Sequence, residues 1–103
     1  MNSNLQKAQR IKDVLNKLFE RLGEDSFYLT DYWDADLCAI GIKNSEEGEF
    51  LIYISIYKIK KEHYFVEVED SNKEVVLNGY TNGELNEINF EELSEIVSKY
   101  LNL

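Results

Sequence analysis

The sequence has one cysteine, one histidine, no proline and no glycine-rich phosphate loop. A lone Cys38 excludes an intramolecular disulfide and suits a reducing cytosol, so a cytoplasmic location is expected. His63 has no serine or cysteine nucleophile at motif spacing, so general-base and nucleophilic catalysis are poorly provided for. No enzymatic activity and no cofactor are expected. Long apolar runs are missing too. The longest, Phe50 to Tyr57, is broken by Ser55 and falls far short of the ~20 residues a membrane helix requires. Met1 to Lys17 lacks a charged head followed by an apolar segment, so neither a membrane span nor a cleaved secretion signal is expected. Bases are scarce, with 11 Lys+Arg against 20 Asp+Glu and a formal net charge of -9 over 103 residues. A chain of this length buries roughly 60 to 70% of its unfolded surface, enough for one core, so residues 1–103 read as a single domain.

Two helices and a run of strands are legible in the hydrophobic periodicity. Leu5, Ala8, Ile11, Val14, Leu15, Leu18, Phe19 and Leu22 recur at three- and four-residue steps, and Gly23 follows as a stop, which predicts an amphipathic helix over 5–22. Asn89 and Glu92 have capping-box spacing, and Phe90, Leu93, Ile96, Val97, Tyr100 and Leu101 continue at helical steps, which predicts a second helix over 90–100. Between them the period is two. Phe50 to Ile59 alternates Phe50, Ile52, Ile54 and Ile56 with Leu51, Tyr53, Ser55 and Tyr57. Leu37 to Lys43, His63 to Glu69 and Glu74 to Asn78 read as further strands, and Phe27 to Thr30 as an additional edge strand. Short polar links favour hairpins, and the second Asn-Gly pair, Asn82-Gly83, makes 79–86 a turn region. The expected fold is α+β: an N-terminal helix, a four- to five-stranded antiparallel meander sheet and a C-terminal helix, with both helices on one face of the sheet. No internal repeat, low-complexity tract or linker interrupts it.

Charge is distributed unevenly along the chain: +3 over residues 1–23, -8 over 24–70 and -4 over 71–103. The middle segment would repel a phosphate backbone, and the one basic stripe, Lys7, Arg10, Lys17 and Arg21, falls along one edge of the first helix and is expected to be a solvated flank. Direct nucleic-acid binding is therefore not expected. On the outward strand face Tyr53 and Tyr57 should neighbour Phe65, Glu67 and Glu69. Rings beside carboxylates suit a basic protein, the rings supplying buried area and the acids steering its approach. Asp31, Asp34 and Asp36 join these as candidate partner-binding residues. They could also be read as a divalent-cation site, but no glycine stands where a calcium loop requires one, and no metal is expected. His63 reads as solvent-facing, Cys38 as a small hydrophobe on the apolar face, and Trp33 as a core anchor or an exposed contact.

The run Asp31-Tyr32-Trp33-Asp34-Ala35-Asp36-Leu37-Cys38-Ala39-Ile40-Gly41-Ile42 resembles small acidic immunity proteins of bacterial polymorphic-toxin and contact-dependent growth inhibition systems, which show a Trp-Asp turn leading into an apolar strand. Chain length, helix-sheet-helix order and acidity agree with that resemblance. It implies a cytosolic, non-enzymatic protein that binds a cognate toxin domain, commonly a basic nuclease, and occludes its active site or an essential surface. The rival readings are an acidic nucleic-acid mimic that inhibits a DNA-binding protein, a small enzyme or ligand-binding domain, and an oligomerisation module. A monomer is favoured over self-association.

Overall fold

The computed structural model describes residues 6–30, 36–44 and 48–103. Helix α1 (Gln9–Leu22) leads into strands β1 (Tyr28–Thr30), β2 (Ala39–Lys43), β3 (Leu51–Ser55), β4 (His63–Glu69) and β5 (Val75–Leu77). A small pair, β6 (Tyr80–Thr81) and β7 (Glu84–Leu85), precedes a short β8 (Ile88–Asn89) and helix α2 (Phe90–Leu101). The fold is α+β, as the periodicity predicts.

Both helices end where local chemistry stops them. Gly23 donates its N–H to the Phe19 carbonyl at 2.8 Å and has φ 108° with ψ 142°, so the expected stop is there, in a backbone region essentially confined to glycine rather than in the left-handed helical one. At the start of α1, Ala8 is extended and offers no capping side chain; its N–H donates instead to the Leu37 carbonyl at 2.9 Å, which ties the helix to the entry of β2. In α2 the predicted capping box is complete: Asn89 Oδ1 accepts from Glu92 N–H at 2.9 Å, and Glu92 Oε1 accepts from Asn89 N–H at 3.2 Å. Asn102 closes that helix in the left-handed conformation.

β1 to β5 form an antiparallel meander in chain order. The central register sets Ile54 opposite Val66 and Ile40, and Ile52 opposite Val68 and Ile42, so these aliphatic side chains share one face. Both helices cover that face: Ile11, Val14, Leu15 and Leu18 of α1 and Leu93, Val97 and Leu101 of α2 join the same buried cluster. Ile54 is fully buried there, and Ile54→Ala should cost about 2 to 5 kcal/mol in denaturant unfolding. β3 stops at Ser55, short of the predicted Ile59, because the Ser55 hydroxyl accepts from Tyr57 N–H at 3.1 Å and Lys58 takes a positive φ of 56°, which together turn the chain. The β4–β5 link is closed by Asp70, whose Oδ1 accepts from the N–H groups of Asn72 and Glu74.

Two features go beyond the predicted meander. β8 pairs with the first residues of β4, His63 with Asn89 and Tyr64 with Ile88, while β5 pairs with its last, Val68 and Glu69. Both therefore lie along one edge of β4. Between them the chain forms the β6–β7 hairpin, whose turn at Asn82 and Gly83 uses two positive φ values, 54° and 80°. The predicted turn region is this hairpin.

Candidate acidic aromatic cleft

Alternation along β3 and β4 directs a second set of side chains away from the helices. Tyr53 is paired with Glu67 on one side and Gly41 on the other, Ser55 with Phe65 and Ala39, and Leu51 with Glu69. These rows share the outward face because side chains two residues apart in a strand point the same way. The β6–β7 hairpin packs against this face through Tyr80, whose ring lies 5.4 Å from that of Phe65 at an interplanar angle of 59°. Phe65 meets Tyr53 edge-on at 5.9 Å. The result is a line of three rings, and Phe65 at its centre is 9% exposed. It serves as the floor of the face rather than as an open contact residue.

Between the strand face and the hairpin is a cleft of about 620 Å³, lined among others by Asp36, Tyr53, Tyr57, Phe65, Glu67 and Glu69. The structure thus sets Asp36 beside the five residues, Tyr53, Tyr57, Phe65, Glu67 and Glu69, that the strand alternation already places on one face. Asp31 and Asp34 lie outside the described residues, as does Trp33. Tyr80, Leu85, Val75 and Lys58 also line the cleft and were not anticipated. An exposed aromatic next to Asn78-Gly79 was the available signal for Tyr80.

Each polar group has an identifiable support. Asp36 Oδ1 accepts from the N–H of Cys38 at 2.9 Å, fixing the carboxylate just before β2. Glu67 Oε1 accepts from the N–H of Gly79 at 3.4 Å, linking β4 to the base of the hairpin. Asn78 Oδ1 accepts from the N–H of Tyr80 at 2.9 Å and shapes the entry to it. The Tyr53 phenol is pushed above its ordinary value by burial; the hydrogen bond with the Ser55 side chain opposes this, and the carboxylates of Asp36 and Glu67 add smaller upward effects. Tyr57 is 62% exposed at the rim, with the Lys58 ammonium 5.4 Å from its ring centroid. The lining carries the carboxylates of Asp36, Glu67 and Glu69 against the single ammonium of Lys58. A cleft of this kind can hold a cation between ring faces and carboxylates; among the described residues its lining contains no His or Cys.

The basic stripe is a solvated flank only in part: Lys17 and Arg21 are exposed, whereas Lys7 and Arg10 are engaged with the rest of the fold. Lys7 is buried and its Nζ donates to the Asp36 carbonyl at 2.7 Å. The Arg10 guanidinium donates to the carbonyls of Ile59 and Lys60 at 3.0 Å and of His63 at 3.3 Å. Arg21 forms a two-pronged pair with Glu91 at 3.0 and 2.9 Å, and Lys17 lies 4.3 Å from the centroid of the Phe90 ring. Lys7, just before α1, is tied to the chain entering β2, while Arg10 ties α1 to the β3–β4 link and Arg21 and Lys17 tie it to α2. The partners are backbone carbonyls and an exposed carboxylate far along the chain, which periodicity does not reveal.

The remaining candidates lie elsewhere. The His63 ring Nδ1 is 3.1 Å from the Lys61 carbonyl oxygen, and His63 does not line the cleft. Cys38 is a partly buried free thiol packed against the core. Among the described residues no group of three or more His, Cys, Asp or Glu side chains is arranged to hold a metal ion, and no helix is long and apolar enough to cross a membrane. No protein-family model matches the chain, and no curated protein or solved structure matches it.

Proposed function

We propose that this protein is a non-enzymatic inhibitor of a basic protein domain, acting as an immunity protein against a cognate toxin such as a nuclease. The observation that carries the reading is the outward cleft, where Asp36, Glu67 and Glu69 surround Tyr53, Tyr57, Phe65 and Tyr80. Carboxylates steer a cationic partner, and half-buried rings provide the apolar area that holds it once docked. The net charge of -9 acts in the same sense at longer range. With Lys7 and Arg10 engaged with backbone carbonyls and Arg21 paired at the surface with Glu91, the basic stripe has less free charge to attract phosphate. A cytoplasmic site of action belongs to the same proposal, since an immunity protein must meet the toxin in the cell it protects.

A nucleic-acid mimic would carry acids over most of its surface, whereas residues 1–23, which include the first helix, carry a net charge of +3. The enzyme reading would gain from a polar pocket converging on His63, and the cleft lies away from that residue. The experiment uses the C-terminal domain of a large secreted protein encoded beside this chain as the partner. A stoichiometric complex and loss of toxin activity are expected. A toxin domain that neither binds nor is inhibited would overturn the proposal, as would the absence of any such neighbouring gene.

A further inference from the structure

Resting on that reading, we infer that the outward cleft is a socket for one guanidinium group, an arginine side chain presented by the basic partner. The walls and floor divide the work. Tyr80, 51% exposed on the hairpin, and Tyr53, at the centre of the sheet, offer ring surfaces on either side of the buried Phe65. Ring faces carry the negative lobe of the aromatic quadrupole and attract a cation placed over them. Glu67 pairs with Tyr53 across the strands, and its Oε1 accepts from the N–H of Gly79, so a carboxylate is held beside Tyr53 and at the base of the hairpin that carries Tyr80. Asp36 and Glu69 line the same space.

Charge selects the occupant. The Lys58 ammonium lies against the rim ring of Tyr57, leaving the carboxylates in excess inside the cleft. Asp36 and Glu67 both lie near enough to the Tyr53 phenol to raise its pKa slightly, in addition to the larger effect of burial. An anionic or neutral ligand would leave these carboxylates without a counter-charge. Between the two protein cations the geometry favours arginine. A guanidinium is planar, stacks on aromatic faces, forks onto a carboxylate and is more weakly hydrated than an ammonium, so it loses less on entering a partly dry cleft. A volume of about 620 Å³ leaves room for the flanking backbone that delivers it.

The probes are three acetylated, amidated tripeptides, Gly-Arg-Gly, Gly-Lys-Gly and Gly-citrulline-Gly, titrated into the intact chain while the ring resonances of Tyr53, Phe65 and Tyr80 are followed by NMR. Citrulline keeps the planar shape and removes the charge. The arginine peptide should shift all three rings in a saturable way, the lysine peptide should bind more weakly, and the citrulline peptide should leave the rings unmoved. Glu67→Gln keeps an acceptor for Gly79 N–H and should weaken the arginine peptide about tenfold, the loss expected for one charge-assisted hydrogen bond. An unchanged unfolding midpoint confirms that the variant is folded. Equal shifts from citrulline, equal binding of lysine, or an affinity unchanged by Glu67→Gln would overturn the socket. Should the arginine peptide fail while a toxin domain still binds and is weakened by Glu69→Lys, the socket falls and the functional proposal stands. Should the peptide bind while no basic domain does, the reverse holds.

Discussion

Gly79 lies so close to the ring of Phe65 that a Cβ built on it would stand 2.8 Å from Cδ2 and closer still to Cζ and Cε2. The glycine is there for room and not for an unusual backbone angle. It lets the chain leaving β5 pass directly over the ring and deliver Tyr80 to the far side of the cleft. Gly79→Ala should push the hairpin off the sheet face and cost about 1 to 3 kcal/mol, the range for overpacking at a closely packed site. Denaturant unfolding measures the loss. Combining it with Phe65→Leu, which removes the obstructing edge of the ring, should give a double variant less destabilised than the two single losses added together. Additive losses would mean that Gly79 and Phe65 do not constrain each other.

Arg10 offers a second test of what holds the sheet face in position. Its guanidinium donates to the Ile59 and Lys60 carbonyls of the segment joining β3 to β4, which also carries the rim residues Tyr57 and Lys58, and to the carbonyl of His63 at the start of β4. Arg10→Met keeps much of the aliphatic length and removes the donors. The expected cost is about 1.5 to 3 kcal/mol, as for hydrogen bonds made by a charged group. Faster amide exchange should be confined to 56–63 at low denaturant. A loss spread evenly over the sheet would assign Arg10 to general packing instead.

The meander was legible because each strand that faces the helices alternates cleanly, and α2 because Asn89 and Glu92 announce its start three residues apart. The β6–β7 hairpin was legible only as a turn. Its strands are two residues long, and Tyr80, Thr81, Glu84 and Leu85 are all exposed, so no alternation between apolar and polar positions marks them. The outward candidates Tyr53, Glu67 and Phe65 could be grouped from register alone, since a period of two places them on one face. That Phe65 is covered depends on Gly79 and Tyr80 returning over it, a long-range contact with no local signature. The same holds for Lys7 and Arg10, whose acceptors are main-chain oxygens, and every residue supplies one of those.

The pair between Arg21 and Glu91 predicts an acid-sensitive contribution. Hydrogen bonding from Arg21, and then its charge, holds the Glu91 carboxyl below the usual value. A carboxyl depressed in the folded state stabilises above its unfolded pKa, about 4.3 for Glu, and loses that contribution as the pH falls through the folded value. Glu91 also stands in the first turn of α2, where the helix dipole favours an anion. Both side chains are well exposed, so solvent and salt screen the pair. Glu91→Gln should lower the denaturant midpoint slightly at neutral pH, and the gap from the parent should close in acid and narrow in high salt. A gap that persists after Glu91 is protonated would point to the side-chain exchange itself.

Steering and anchoring in the cleft can be separated kinetically with the toxin domain as partner. Under the proposed function Asp36, Glu67 and Glu69 act before contact, through a field that reaches about 8 to 10 Å at physiological salt. Reversing Glu67 and Glu69 to Lys should therefore slow association and flatten its dependence on ionic strength, with a smaller change in dissociation. Tyr53 and Tyr57 act after contact. Tyr53 is half-buried against Phe65, and Tyr57 stands exposed at the rim, so both have ring surface to cover. Truncating a central aromatic anchor typically costs about 2 kcal/mol or more, and most of that loss is faster dissociation. Tyr53→Ala should have the larger effect because its ring is nearer the centre of the cleft, and Tyr57→Ala the smaller. Surface plasmon resonance over a salt series reads both constants for each variant. If the Lys reversals and both Tyr variants associate and dissociate like the parent protein, the contact lies away from this face and the C-terminal helix becomes the surface to test.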